Sequence, residues 1–177
     1  VDIDANIMIT FGENVQAGTG SFTLTPTSTT TFTVTIGTES KFYIGGVVQQ
    51  SLTLEVGNTY IFNQDHYSNG NTGAYDAHPL AISEPIDGLH TSDGTALETN
   101  VSHTLAGGVV TYTYYRNIQN FRTSTSRQVT FTPTVIGTLY YFSSRHAGAG
   151  GNITVGAQSY TPITISTAPS SEVSYAG

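Results

Sequence analysis

No cysteine occurs anywhere in the chain. Disulfides and thiolate chemistry are therefore excluded. The compartment stays open, because many exported prokaryotic and viral proteins also lack the residue. Tryptophan is absent too, and charge is scarce. Lys, Arg, Asp and Glu make up 10% of the residues, with twelve acidic against five basic. The basic residues are scattered, so there is no electrostatic footprint for nucleic acid. No apolar run approaches the ~20 residues of a membrane-spanning helix. No signal peptide is evident. The chain starts at Val1 rather than Met, and a leader or upstream domain is expected before it. No Ser-His-Asp spacing, paired-carboxylate motif or phosphate-binding loop occurs, so no catalysis is expected.

What is present is Thr, Ser and Gly in abundance, with 37% hydrophobic residues in alternating patterns. That composition suits packed sheets rather than disorder, and an all-β extracellular or virion protein. The 177 residues allow one large domain, or one with a partial second, burying roughly 70% of the unfolded surface.

Asn6 to Phe11 alternates as a strand. Asp2 and Asp4 share one strand face, a pair of hard oxygen donors suited to calcium. Two solvated carboxylates at a terminus are the competing reading. Ser21 to Ile36 gives two strands with one apolar and one Thr face, joined by a turn at Pro26 to Thr30. Lys41 to Gln64 gives three short strands, with a hairpin at Gly45-Gly46 and a turn at Gly57-Asn58. Asp65 to Ala77 is a polar, glycine-rich loop. Its His66, Tyr67, Tyr75 and Asp76 make a candidate sugar-binding surface, or a site of protein contacts.

His90 and His103 fall at no metal spacing and read as surface residues. Val109 to Tyr115 predicts a strand with Val110, Tyr112 and Tyr114 on one face. Arg116, Arg122, Arg127 and Arg145 are candidates to pair the acidic surplus of a neighbouring copy. Gln128 to Thr134 is a further strand. Tyr160 to Ile165 alternates again, with Pro162 confining it to an edge, before a small-residue tail.

Gly137 to Val155 reads G-T-L-Y-Y-F-S-S-R-H-A-G-A-G-G-N-I-T-V. A strand from Thr138 to Ser143, bulky on both faces, belongs in the middle of a sheet. A glycine-rich loop and a strand from Asn152 to Val155 follow. This stretch resembles the last ligand loop of a cupredoxin-like domain of the marine bacterial and phage type, Y-Y-Y-C-x-x-H-x-x-M-G-G. Phe42 to Gln64 and the His78-Pro79-Leu80 strand are similar to the same family, over roughly Lys41 to Val155. The resemblance implies a Greek-key β-sandwich with His78 and His146 as copper ligands. It also puts Ser143 where the family has cysteine, and Ala149 where it has methionine. A blue-copper site needs the thiolate, two imidazoles and a weak axial thioether. A serine hydroxyl is neither soft nor ionised near neutral pH, and alanine has no donor. His78 and His146 then remain either as a weak copper or zinc site, or as relics hydrogen-bonded inside the old pocket. Separately, Asn6 to Thr25 resembles the first strands of a bacterial Ig-like surface repeat.

The expected organisation is an N-terminal β segment at 1–36, a cupredoxin-like sandwich at 37–157, and a C-terminal strand and tail at 158–177. The expected role is a structural or adhesive subunit of an extracellular, cell-surface or virion assembly. It would contact identical subunits, by strand addition among other routes. It needs no cofactor, weak copper or calcium aside. The alternatives are a copper- or zinc-binding protein and a module for cell-surface glycans.

Overall fold

A computed structural model describes residues 23–24, 27–37, 39–70, 77–91, 94–159 and 163–164. Asp2, Asp4, Tyr75, Asp76 and the Ig-like run up to residue 22 lie outside these residues. The chain divides into two units, Val1–Pro26 with Tyr160–Gly177, and Thr27–Ser159. In the first, β1 (Thr23–Leu24) pairs antiparallel with β13 (Ile163–Thr164).

The second unit holds the remaining strands. They are β2 (Thr29–Ile36), β3 (Phe42–Ile44), β4 (Val47–Val48), β5 (Leu52–Glu55), β6 (Thr59–Asn63), β7 (Leu80–Ser83), β8 (Val101–Leu105), β9 (Gly108–Val110), β10 (Arg127–Phe131), β11 (Gly137–Ser143) and β12 (Gly151–Gly156). Seven form one sheet in the order β4-β3-β2-β6-β10-β8-β9, and four form another in the order β5-β12-β11-β7. The pairs β2–β6 and β5–β12 are parallel and the others antiparallel. Period-2 patterning turns alternate side chains inward. Tyr60 and Phe62 of β6, Val129 and Phe131 of β10, and Leu52 and Leu54 of β5 are all buried. They join Val34, Phe42, Leu80, Ile82, Tyr141, Ile153 and Val155 in one core fed by both sheets, which makes the unit a β-sandwich. Each such side chain contributes about 1.5–3 kcal/mol by leaving water. β3 and β4 turn through Gly45 (φ 59°) and Gly46 (φ 85°), a geometry that disfavours any side chain at either position.

As its two bulky faces predict, β11 lies between β12 and β7. Tyr141 enters the main core, while Phe142 packs on the other side against Ala81 and Tyr112. The strand Thr29–Ile36 is flanked by β6 and β3. Its Thr residues 29, 31 and 33 face solvent.

The predicted strand Val109 to Tyr115 is not a single strand. β9 ends at Val110, and α1 (Tyr112–Tyr115) and α2 (Ile118–Thr123) follow. Thr111 Oγ1 accepts the Tyr114 N–H at 3.2 Å, and Asn117 Oδ1 accepts the Gln119 and Asn120 N–H groups at 3.0 and 3.2 Å. These caps satisfy donors that short helices otherwise leave bare. A three-residue spacing then buries Tyr112 and Tyr115 and leaves Tyr114 half exposed. The two buried rings enclose His103, at 5.1 and 4.9 Å between centroids. His103 is consequently a core residue, 3% exposed, rather than the surface residue its sequence context suggested.

Candidate metal centre

His78 precedes β7 and is buried. Its position is fixed by a polar network around Gln64. Gln64 Oε1 accepts from the Leu80 N–H (2.9 Å) and the Tyr115 hydroxyl (2.7 Å). Gln64 Nε2 donates to Asn69 Oδ1 (3.0 Å) and the His78 carbonyl (2.8 Å). Asn69 in turn donates through Nδ2 to the Val34 carbonyl, and its own carbonyl accepts the His78 N–H at 2.9 Å. Every acceptor and donor position of the buried Gln64 amide is thus used. Arg127 closes the network from below. Its Nε donates to the Phe121 carbonyl (2.7 Å), its Nη1 to the Gln64 carbonyl (3.3 Å), and its guanidinium lies 5.2 Å from the Phe121 ring centre. Arg127 is therefore an internal staple and not a cation held out to a neighbouring copy.

The facing wall is the loop from β11 to β12. Ser143, at the cysteine position, is fully buried, and its Oγ accepts the Arg145 and His146 N–H groups, each at 3.3 Å. Ser144 donates to the Pro79 carbonyl through both its N–H (2.9 Å) and its Oγ (3.2 Å), which sews the loop to the start of β7. His90 Nε2 donates to the Ser143 carbonyl at 2.8 Å. Ala149 is buried, and its carbonyl accepts the Phe42 N–H at 2.9 Å. Gly150 sits where a Cβ would lie 1.7 Å from the Tyr141 carbonyl oxygen, so only glycine fits. Gly148 donates to Asp87 Oδ2 at 2.8 Å, and its carbonyl accepts from Lys41 Nζ and Gln49 Nε2.

The loop brings His146 onto His78. The two rings stack with centroids 4.0 Å apart and planes at 21°. A metal ion binds imidazole through nitrogen lone pairs lying in the ring planes, whereas these rings meet by their faces. The donor set fails the type 1 copper requirement on its own chemistry, because a hydroxyl stands for the thiolate and a methyl for the thioether. Among the described residues no three His, Asp or Glu side chains converge as metal ligands. The residues present do not fit a blue-copper ion.

Of the expected sugar-binding residues, His66 and Tyr67 are described. Their rings are 4.4 Å apart, Tyr67 is 76% exposed, and His66 Nδ1 is 2.8 Å from Ser68 Oγ. Gln64 and Asn69 escaped the sequence reading. The alternation Tyr60, Phe62, Gln64 does point Gln64 inward, so a signal for it existed.

This unit has an all-β sandwich fold, with one histidine before β7 and the other in the loop joining its last two strands. No family model matches the chain, and no curated protein does. Solved structures with a similar arrangement include a copper protein, rusticyanin, at 17% identity and TM-score 0.40, covering 72% of this chain and 78% of that one. Rusticyanin from Thiobacillus ferrooxidans gives 15% identity and TM-score 0.41 over 72% of this chain and 77% of that one. An amicyanin variant, Cu(I), gives 17% and 0.36 over 71% and 82%.

Proposed function

We propose that the domain serves as a non-catalytic structural or adhesive subunit of an extracellular, cell-surface or virion assembly, built on a cupredoxin-like scaffold of the marine bacterial and phage type. The observation that carries this reading is the former ligand pocket. Ser143, His146, His78 and Ala149 are all engaged in packing or hydrogen bonding that closes the pocket without sulfur donors. Such a pocket is kept for shape. The edges of the seven-stranded sheet support the same reading. Val47 and Val48 on β4 are about half exposed, and Val109 on β9 is 79% exposed, as surfaces for contact between copies would be. Light scattering and electron microscopy of the purified chain test it. Oligomers or filaments that vanish on Val109→Lys are expected. A monomer at all concentrations, attached to no larger body, contradicts it.

A second reading is a copper- or zinc-binding protein using His78 and His146, favoured by the proximity of the two imidazoles. It requires the rings to part, and it predicts uptake of one metal ion that is lost in His146→Ala.

A further inference from the structure

Only five residues of the chain are Lys or Arg, against twelve Asp and Glu. Two of the five, Arg116 and Arg145, line a single open cleft of about 590 Å³, together with Thr113, Asn117, Gln119 and Ser144. No carboxylate is among the described residues lining it. Both arginines are exposed, and neither forms an ion pair with any described residue. In a chain of net charge −7, this is a local concentration of positive charge.

Arg116 is placed by a buried neighbour. Tyr112 is only 7% exposed, and the Arg116 guanidinium lies 5.6 Å from its ring centre. Its hydroxyl interacts with the Arg116 and Ser144 side chains, both lining residues, and so helps to place Arg116 at the cleft. Guanidinium groups stay ionised and present planar forks of N–H donors that match oxyanions.

We propose that this cleft binds an oxyanion, a carboxylate or sulfate group, held between Arg116 and Arg145. Thr113 supplies a further hydroxyl donor at the rim. A cation is repelled, and a neutral ligand leaves both guanidinium charges unanswered. The cleft volume suits a small ligand or one acidic side chain. The oxyanion comes either from a free small molecule or from the acidic surface of a second copy. The site stands independently of the role proposed above, because it does not involve the sheet edges.

Amide NMR shifts of residues 113–119 and 144–145, titrated with sodium sulfate and with sodium succinate at ionic strength held by sodium chloride, test the site. Saturable shifts are expected. Arg145→Gln and Arg116→Gln should each weaken binding about tenfold or more. Arg145 projects from a surface loop, so its variant reports on binding even where Arg116→Gln perturbs α1. In a second arm, sedimentation at low ionic strength detects self-association, and its loss in Arg145→Gln assigns the oxyanion to a second copy. Absence of saturable shifts together with no Arg145-dependent association overturns the proposal. So does undiminished binding in the Arg116→Gln, Arg145→Gln double variant.

Discussion

Replacing Gln64 by leucine keeps the volume of the side chain and deletes all four of its hydrogen bonds. The Tyr115 hydroxyl, the Leu80 N–H, the Asn69 side-chain oxygen and the His78 carbonyl each lose a partner. Tyr115, Leu80, Asn69 and His78 are all buried, so water cannot take the place of the lost amide without opening the core. Each buried polar group left bare costs about 1–3 kcal/mol, and partial relaxation makes the costs less than additive. A loss of about 3–5 kcal/mol is expected, a large share of the stability of an ordinary domain. Urea denaturation followed by far-ultraviolet circular dichroism, comparing midpoints at equal slope, measures it. Adding cupric or zinc ions should not restore the lost stability, because the pocket is held by this network and not by a metal. A loss below about 1 kcal/mol would refute the reasoning. Recovery on adding metal would refute it equally.

Other consequences are as direct. Burial lowers the pKa of His103 to about 4 from the usual 6.5, so the unfolded chain binds its proton more readily than the folded one. Stability contributed by this group is complete above about pH 6.5 and is lost as pH falls toward 4, by up to about 3 kcal/mol, a slope that His103→Leu should remove from midpoints measured across that range. Gly150→Ala drives a Cβ to 1.7 Å from the Tyr141 carbonyl oxygen, and thermal melting should show a loss above about 3 kcal/mol or an insoluble chain. Gly137→Ala, with nothing within 4 Å, should stay within about 0.5 kcal/mol of the parent.

The parts legible from the sequence were those written in short-range pattern. Alternation located β5, β6, β10 and the central position of β11, and Gly45-Gly46 located a hairpin. The resemblance around Ser143, His146 and the Gly150-Gly151 pair led to two histidines that do meet in one pocket. What stayed illegible depended on competition between local signals. Val109 to Tyr115 is rich in strand-forming residues, and only the capping by Thr111 and Asn117, with a core face for Tyr112 and Tyr115, turns its second half into helix. His103 looked like a loop residue because its burial comes from those two tyrosines, which are distant by pattern and adjacent only after folding. The place of Thr29–Ile36 was not legible, because a parallel pairing with β6 leaves no trace in either strand alone. The Arg116 and Arg145 cleft was invisible for the same reason, since its walls come from α1 and from the loop after β11.

The pocket around His78 and His146 closes on its own hydrogen bonds and ring stacking. Cupric ion titrated into the full chain at neutral pH, followed by calorimetry and electron paramagnetic resonance and repeated on His146→Ala, tests this most directly. The account predicts no stoichiometric uptake at micromolar protein, no intense visible absorption, and the same trace for both proteins. One ion bound tightly per chain, released by His146→Ala, would contradict it.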